Sequence, residues 1–246
     1  MKNKIGWCDM TWNPVWGCRN YCEYCYARKI AKRFADVIAD KEHTYIYKQS
    51  QYRVWQGEIA NKLRHFVPTF LKSHFNKRFP KNPQRIFVGS MSEIYYWREE
   101  WIEKVIEKVK QSPQHTFQFL TRYPEIYDNY IWPKNCWLGV TITREEDKKR
   151  GIPYLFITSC NITFVSVEPL LEPVDPVAFS NANIDWVIIG AETGNRKDKV
   201  IPKLDWVLEI VRYCEHHKIS VYIKDNLTKY YAECRGYKQF PKGVKV

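Results

Sequence analysis

The sequence predicts an α/β fold built on mostly parallel strands, and two patterns support this prediction. Short apolar runs rich in β-branched and aromatic residues alternate along the chain with longer amphipathic stretches. Most of the apolar runs show little polar alternation, as strands that are covered on both faces do. Strands that alternate with helices in this way are joined by βα crossovers, which place parallel strands side by side.

Six apolar runs have the length and composition of buried strands, and one further strand is expected just before residue 18, where the pattern is short. Three amphipathic stretches predict helices, because their apolar residues recur every three or four positions. The strands are predicted at 85–90, 116–121, 136–141, 163–168, 186–191 and 220–225, and the helices at 23–40, 99–110 and 204–217.

Nearly every predicted strand ends in polar residues. In a parallel barrel these carboxyl-terminal ends face one mouth, where active sites are built. A polar residue after a strand is also what any turn requires, but here six examples follow one another. Glu168 precedes a proline, which favours an extended backbone at that strand end. The polar groups lie at 90–93, 121–122, 141, 166–168, 191–193 and 224–226.

Length and composition limit the kind of protein. The chain has 246 residues, of which 45% are hydrophobic, so it can bury a sizeable core. We predict a single domain over residues 1–246, with a basic, aromatic-rich insertion at about 41–84. The first residues lack the pattern of a signal peptide, and no apolar run is long enough to cross a bilayer. We therefore expect a cytoplasmic protein with no membrane partner.

Positive charge is concentrated in one part of the chain. The formal net charge is +12, and residues 44–85 contain nine basic residues against one acid, together with eight aromatic residues. Basic residues interleaved with aromatics are typical of surfaces that track phosphates and stack on bases. The pattern predicts contacts with DNA or RNA at Arg64, Lys72 and Arg78. The alternative is a solvated basic face whose aromatics point into the core.

Three of the eight cysteines, Cys18, Cys22 and Cys25, form a dense group spaced C-x3-C-x2-C. A structural zinc site requires four ligands, and Cys8 is the candidate for the fourth. A redox pair at Cys22 and Cys25 leaves Cys18 unexplained. An iron–sulfur cluster held by three thiolates leaves one iron open to a reactive ligand. The remaining cysteines are predicted to be small buried residues: Cys8, Cys136, Cys160, Cys214 and Cys234.

This cysteine group, with the aromatic Tyr24 before the third thiol, resembles the motif of the radical S-adenosylmethionine (radical SAM) superfamily. Further blocks are similar, in the same order, to a phage-associated and poorly characterised branch of that superfamily. They lie within residues 11–225 and read TWNPVWGC, CYARKIAKRF, IFVGSMSEI, FLTRYPE, LGVT, SVEPLLEP, WVIIGAETG and a late IK. The chain departs from the branch at 190–194, where GAETG replaces GGESG, and at 224–226, where KDN replaces KQ followed by a Trp.

The resemblance implies a partial or complete (β/α) barrel in which Cys18, Cys22 and Cys25 ligate a [4Fe–4S] cluster. The open iron would chelate the amino and carboxylate groups of S-adenosylmethionine. One electron, delivered by a donor such as flavodoxin or ferredoxin, would cleave that cofactor to methionine and a 5′-deoxyadenosyl radical. The radical would abstract a hydrogen atom from the substrate, while the protein positions the reactants and excludes water.

The resemblance also implies roles for the strand-end residues. Ser90, Ser92 and Glu93 are expected near the methionine amino group, whose positive charge favours a carboxylate. Arg122 or Lys224 would pair with the methionine carboxylate or with a substrate phosphate. For each residue the alternative is a loop cap or an ion pair between strand ends. Contacts with the cofactor or substrate are also expected from Tyr24, Thr121, Ser166, Glu168, Gly190, Glu192 and Gly194, and packing around the cluster from Trp12, Trp16 and Tyr26.

The sequence thus predicts a radical SAM enzyme with one [4Fe–4S] cluster, and nucleic acid or a nucleotide is the leading candidate substrate. It assigns no individual catalytic residue. The alternative, from a different class, is a zinc-bearing nucleic-acid-binding protein without catalysis, in which Cys8 completes a tetrahedral site.

Overall fold

Helices and strands alternate along the chain. This computed structural model describes residues 5–50, 56–155, 162–194 and 196–241. The strands are β1 (Met10–Trp12), β2 (Val15–Trp16), β3 (Thr69–Phe70), β4 (Arg85–Val88), β5 (Thr116–Thr121), β6 (Cys136–Thr141), β7 (Ile162–Val167), β8 (Trp186–Ile189) and β9 (Ser220–Ile223). The α-helices are α1 (Tyr26–Ser50), α2 (Gln56–Arg64), α3 (Lys72–Phe75), α4 (Glu99–Lys110), α5 (Asp147–Leu155), α6 (Val177–Asn181), α7 (Leu204–His216) and α8 (Asp225–Thr228).

Seven of these strands form one sheet in the order β1-β4-β5-β6-β7-β8-β9. The pairs β1–β4, β6–β7, β7–β8 and β8–β9 are parallel. Parallel neighbours require crossover connections, and α4 and α7 supply two of them, after β4 and after β8. The predicted α/β fold with mostly parallel strands is therefore confirmed.

All six strands predicted from the apolar runs are present, and β1 is the expected earlier strand. The antiparallel pair β2–β3 was not predicted, because two residues per strand give no periodic pattern. The helix predicted at 23–40 begins later, at Tyr26, and continues to Ser50. Strands β4, β8 and β9 end before the polar residues that follow them. The polar residues after β4 and β8 lie in loops, whereas Asp225 and Asn226, after β9, begin α8.

The N-terminal unit, Met10–Phe117, has its own core. Helix α1 packs on α2. Small side chains on α1 let the two helices lie close together, and Ile59 and Leu63 of α2 pack against them. Glu42 of α1 is buried, and its carboxylate accepts hydrogen bonds from the first two backbone N–H groups of α3 at 2.6 and 3.0 Å. The small residues recur every fourth position: Ala27, Ala31, Ala35 and Ala39.

The C-terminal unit combines Met1–Asp9 with Gln118–Val246. Large aromatic side chains fill its core. The ring centroid of Trp7 lies 6.2 Å from that of Phe164 on β7 and 6.0 Å from that of Trp186 on β8. Because aromatic rings bury large areas, these contacts join the N-terminal residues of the chain to the parallel strands.

The scattered cysteines that the structure describes are buried, as predicted: Cys8, Cys136, Cys214 and Cys234. Cys160 lies outside the described residues. No helix within the described ranges is both long and apolar enough to cross a membrane.

Candidate functional site

The clustered cysteines lie in a loop, residues 17–25, between β2 and α1. Cys18, Cys22 and Cys25 are free thiols of intermediate exposure. The backbone N–H of Cys25 donates to the carbonyl oxygen of Cys22 at 3.1 Å, and Tyr21 has a left-handed backbone conformation with φ of 53°. This cysteine loop therefore presents three partly accessible thiols within a short turn.

Gly17 fixes the start of the cysteine loop. Its backbone N–H donates to the carbonyl oxygen of Met91 at 3.0 Å. The backbone N–H of Cys18 donates to the carbonyl oxygen of Phe66 at 2.9 Å. Gly17 has a φ of 116°, and a Cβ atom there would lie 2.4 Å from the carbonyl carbon and oxygen of Val67. Because glycine alone suits this conformation and this space, the loop is held between two segments that are distant in sequence.

Backbone N–H groups point at two of the sulfur atoms. The N–H of Asn20 donates to Cys18 Sγ at 3.3 Å, and the N–H of Arg28 donates to Cys25 Sγ at 3.4 Å. Burial raises the pKa of the Cys18 thiol to about 12 and also raises the pKa of Cys25, while these N–H donors oppose the shift. The raised pKa values keep the Cys18 and Cys25 thiols protonated at neutral pH in the absence of metal, whereas a bound metal deprotonates coordinating thiols.

The cysteine loop packs against an apolar group in the N-terminal unit. Cys18 and Cys25 contact a set of buried side chains that includes Trp16, Phe66 and Met91. These side chains exclude water from one side of the loop. An apolar surrounding of this kind controls solvent access and redox potential at metal sites.

The three aromatics predicted to pack around a cluster have different surroundings. Trp16 lies in the apolar group beside the cysteines. Trp12 is buried elsewhere in the unit, with its ring centroid 5.1 Å from that of Phe79. Tyr26 is 43% exposed, and its hydroxyl donates to the carbonyl oxygen of Ser90 at 2.9 Å. Position thus supports the predicted role for Trp16, whereas Trp12 is a core residue and Tyr26 faces solvent.

The arrangement of the donors indicates which kind of metal group fits the loop. Within the described residues, no three His, Cys, Asp or Glu side chains converge as the ligands of a single ion do. In a cubane cluster each thiolate binds a different iron atom, so its ligands stay apart. Three thiols in one loop beside an apolar surface supply the type of donor that an iron–sulfur cluster takes.

The loop after β4 carries three of the predicted cofactor contacts, and it lies beside the cysteine loop. Ser92 forms an isolated parallel bridge with Gly17, and its Oγ accepts a hydrogen bond from Trp97 Nε1 at 3.1 Å. Glu93 is buried, and its negative charge adds to the effect of burial in raising the pKa of Cys18. The structure thus brings a carboxylate and a hydroxyl close to the cysteines.

Two asparagines that sequence reasoning missed also contact this region. Asn13 Oδ1 accepts a hydrogen bond from Ser90 Oγ at 3.0 Å, and Asn20 Oδ1 accepts one from the Tyr96 hydroxyl at 2.8 Å. Each pair is separated by more than 70 residues, so no local pattern predicts the contact. Tyr24, the aromatic before the third cysteine, is half-buried.

In the C-terminal unit, two residues predicted as separate cofactor contacts bind each other. Lys224, after β9, forms an ion pair with Glu168, after β7, and both side chains are largely buried. Gly190 follows β8, and a Cβ atom there would lie 3.0 Å from Glu168 Cγ and 3.1 Å from Lys224 Cδ. The missing side chain at Gly190 therefore leaves room for the pair across the end of β8.

Glu192 forms an ion pair with Arg196, a residue that lies in none of the motifs found in the sequence. Arg196 Nε and Nη2 donate to the two carboxylate oxygens of Glu192 at 2.9 and 2.8 Å. Glu192 is 3% exposed, and the hydrogen bonds from Arg196 lower the pKa of its carboxyl in spite of burial. The pair lies outside any helix, so no helical spacing rule could have revealed it from the sequence.

The departure from the family pattern at residues 224–226 has a structural role. Asn226 Nδ2 donates to the carbonyl oxygen of Ala191 at 2.6 Å, and its Oδ1 accepts from the N–H of Ala191 at 3.3 Å. This side chain therefore pairs both backbone groups of the residue before Glu192 and fixes the loop that follows β8.

Three further predicted residues differ in whether their polar groups already have hydrogen-bond or ion-pair partners. Thr121 is buried, and its Oγ1 accepts the N–H of Tyr123 at 3.0 Å. Arg122 is half-buried and pairs with Asp147 at 3.3 Å, so the structure does not present it as a free cation. Ser166 is buried, and its Oγ has no hydrogen-bond partner among the described residues. Of these three, Ser166 has the unused hydrogen-bonding capacity that a ligand would satisfy.

The aromatics of residues 44–85 turn mostly inward. Phe66 is buried, and Phe70 lies 5.2 Å from Phe75 between ring centroids. Tyr47 is exposed, whereas Tyr52 and Trp55 lie outside the described residues. The structure therefore supports the alternative in which the aromatics of this segment form core contacts.

The basic residues of the same segment remain at the surface. Arg64 is paired with Asp36 but keeps an exposed side chain. Lys72 and Arg78 are exposed. The segment therefore offers charge for a polyanion, without a continuous row of aromatics for base stacking.

Among solved structures, spore photoproduct lyase, a radical SAM enzyme, has the same fold. One variant of that enzyme aligns with a TM-score of 0.50 and 10% sequence identity, over 88% of this chain and 76% of the enzyme chain. A second variant aligns with a TM-score of 0.46 and 11% identity, over 85% and 74% of the two chains. Comparison with curated protein sequences finds no match.

The fold is an α/β half-barrel of mostly parallel strands, which confirms the predicted fold class of a partial (β/α) barrel. Residues 2–237 match the family described as "Protein of unknown function (DUF5131)". The chain belongs to this DUF5131 family. The predicted resemblance to the radical SAM superfamily is supported at the level of the fold, and the phage-associated branch stays a prediction.

Replacement of Gly17 by alanine is expected to disrupt the cysteine loop. The added Cβ meets the Val67 backbone at 2.4 Å, and a positive φ is unfavourable for alanine. We expect a loss of about 1–3 kcal/mol in the free energy of unfolding, measured by urea titration of the metal-free chain. Iron binding after reconstitution should fall by more than half.

Gly57 on α2 supplies the control for this substitution, because a Cβ atom there meets nothing within 4 Å. Gly57→Ala should keep or slightly raise stability, since alanine favours helix by up to about 1 kcal/mol. Equal stability and equal iron content in Gly17→Ala and the wild type would show that the loop does not depend on this contact.

The Glu192–Arg196 pair predicts a stability change in acid. The lowered pKa means that the pair stabilises the folded state fully above the ordinary carboxyl value of 4.5, and that this contribution disappears as the pH falls through the lowered pKa. Between about pH 6 and about pH 3, wild type should lose more free energy of unfolding than Glu192→Gln. Parallel pH profiles of the two proteins would contradict this assignment.

Arg196→Met should cost about 1–3 kcal/mol at neutral pH, because it leaves a buried carboxylate without its donors. Arg98→Met is the matched control, since the ion pair of Arg98 with Glu100 is long, at 3.8 Å, and exposed. Thermal and urea unfolding should show little change in this control, as is usual for surface ion pairs.

Proposed function

We propose that this protein is a radical SAM enzyme in which Cys18, Cys22 and Cys25 hold one [4Fe–4S] cluster. The observation that carries the proposal is the cysteine loop itself: three free thiols on a backbone fixed at Gly17, with N–H donors at two sulfurs. The fold shared with spore photoproduct lyase supports it. A cytoplasmic location is part of the same prediction.

When bound, the cluster and S-adenosylmethionine would together supply hydrogen-atom abstraction from an unreactive position of a substrate. The chain's own residues position the reactants. The Glu93 carboxylate and the Ser92 hydroxyl suit the cationic amino group of the cofactor. The buried side chains of Trp16 and Met91 exclude water beside the thiols. Tyr24 and Ser90 extend this contact region.

Several residues of the C-terminal unit are proposed, separately, as cofactor or substrate contacts. Ser166 has an unused buried hydroxyl, which a ribose or an adenine edge could satisfy. Lys224 and Glu168 are paired with each other, and either can exchange its partner for a ligand of opposite charge. Gly190 permits close backbone approach. Thr121 and Glu192 are engaged in local contacts, so we propose that they hold the loops around a ligand.

Nucleic acid or a nucleotide is the proposed substrate class. The net charge of +12 and the exposed Arg64, Lys72 and Arg78 favour a polyanion. Arg122 contributes only by releasing Asp147. Because the aromatics of the segment are mostly internal, we expect binding to depend on phosphate charge more than on base stacking.

Serine substitution of each loop cysteine tests the metal assignment. The wild type, reconstituted anaerobically with iron and sulfide, should be brown and contain about four irons per chain. Cys18→Ser, Cys22→Ser and Cys25→Ser should each lose most of the iron and should form no 5′-deoxyadenosine from S-adenosylmethionine with dithionite. Iron content and chromatographic detection of that product are the measurements.

The control is Cys8→Ala, which should retain the iron and the colour, because the proposed cluster uses only the loop thiols. A colourless wild-type protein that binds one zinc ion, and releases it in Cys8→Ala, would instead establish the zinc alternative. A brown protein that forms no 5′-deoxyadenosine would retain the cluster but contradict the proposed enzyme.

Neutralising the basic segment tests the proposed substrate class. The variant Arg64→Gln, Lys72→Gln, Arg78→Gln should bind a fluorescently labelled single-stranded DNA at least about tenfold more weakly at low salt. The slope of log affinity against log salt should fall by about 2. Fluorescence anisotropy over a salt series measures both quantities.

A matched variant removes three exposed charges elsewhere, at Lys110, Lys149 and Lys203. It should bind the DNA almost as wild type does. Equal losses in the two variants would point to non-specific charge, and no binding by wild type would remove nucleic acid as the substrate while leaving the enzyme class intact.

A further inference from the structure

Helix α1 has an exposed apolar row beside the face that carries its buried alanines. Tyr26, Ile30, Phe34 and Val37 follow at intervals of four, four and three residues, which places them along one side of the helix. Their exposed fractions range from 37% for Ile30 to 51% for Val37. Single exposed apolar residues are ordinary, but a continuous row of four marks an interaction surface.

Positive charge surrounds this row. Lys29, Lys32 and Arg33 are exposed, and Arg28 is half-buried. Residues 26–35 contain no acid. The first turns of a helix favour acidic side chains, because the helix dipole is positive there, so four cations at this end oppose the helix's own preference. Helix stability does not account for these cations, which indicates a role in binding.

The same surface begins at the cysteine loop. Cys25 directly precedes α1, and its Sγ accepts the backbone N–H of Arg28. The Arg28 guanidinium lies 4.5 Å from the ring centroid of Tyr21, which is 72% exposed within the loop. With a rise of about 1.5 Å per residue, Phe34 lies within two to three helical turns of Cys25. A protein on this surface would therefore sit close to the thiols.

We propose that the α1 docking face, formed by Tyr26, Lys29, Ile30, Arg33, Phe34 and Val37, binds an acidic one-electron carrier protein of the flavodoxin class. This inference rests on the proposed function, since a cluster held by the cysteine loop requires an electron from outside. Transient redox complexes bury small interfaces, with an apolar centre and a charged rim. The row of apolar residues supplies the centre, and the lysines and arginines supply a rim complementary to an acidic partner.

The apolar residues favour a protein over a nucleic acid as the occupant. Ile30 and Val37 are aliphatic, and aliphatic side chains on a helix face offer neither stacking to bases nor charge to phosphates. An acidic protein with its own apolar patch uses both components of the face. Charge complementarity would raise the association rate strongly at low salt, and this advantage would decline as salt screens it.

The first test measures binding and electron transfer with flavodoxin as the probe. Lys29→Glu, Arg33→Glu should weaken flavodoxin binding at least about tenfold at low salt, detected by NMR shift changes in labelled flavodoxin. In the reconstituted protein, stopped-flow reduction by flavodoxin hydroquinone should slow by a similar factor. Reduction by dithionite, a small anion that needs no protein interface, should be much less affected. For wild type, the flavodoxin rate should decline steeply as salt is added.

A second variant isolates the apolar component of the α1 docking face. Phe34→Ser should weaken flavodoxin binding at high salt as well as at low salt, because it removes apolar contact rather than charge. The control Lys110→Glu, Lys149→Glu makes the same change in net charge at exposed positions outside α1. It should leave binding and the reduction rate close to those of wild type.

The outcomes separate this inference from the proposed function. If both α1 variants bind and accept electrons from flavodoxin as wild type does, the docking face is refuted while the cluster stands. The same holds if the control loses as much, or if the α1 variants lose binding to single-stranded DNA instead. If no iron–sulfur protein forms, the proposed function fails, and the salt-dependent binding measurement alone decides whether an acidic protein docks on α1.

Discussion

Two backbone hydrogen bonds and the missing side chain of Gly17 fix the cysteine loop, and the candidate site depends on this constraint. The acceptors are the carbonyl groups of Phe66, just after α2, and Met91, just after β4. Because these elements hold the loop through the protein's own contacts, the thiols are arranged before any metal binds. A pre-arranged site loses less conformational entropy on binding, which would favour binding of the proposed cluster.

At the strand ends of the C-terminal unit, by contrast, charged side chains form ion pairs with one another. Buried charges are costly unless they are paired, and both Glu168 and Glu192 have cationic partners. A ligand that uses these carboxylates must replace an existing interaction, so the net gain from such a contact is modest. Ser166 is different, since its hydroxyl has no partner among the described residues and a ligand would gain a hydrogen bond without breaking one.

The fold was largely predictable from the sequence, because the signals that specify it are local. Apolar runs such as 186–191 identify buried strands, and the cysteine spacing identifies the loop. The contacts of the candidate site were not predictable, since they join residues far apart in the chain, as Ser90 and Asn13 are. The role of the aromatics of residues 44–85 was not predictable for a similar reason. Their composition is typical of a surface that stacks on nucleic-acid bases, and only the packing of the structure shows that Phe66 is in the core.

Helix α1 packs against α2 through one face and exposes another face to solvent, and different residues of its sequence serve the two. The alanines at every fourth position are small and uncharged, so they fix the helix against α2 without using any polar group. The adjacent exposed face therefore has no part in this core, and it carries apolar residues together with cations that the helix dipole disfavours at an N-terminus. Because the cysteine loop leads directly into α1, any partner that binds the exposed face meets a surface already fixed relative to the thiols. The packing of the alanines thus orients the proposed docking face beside the cysteine loop.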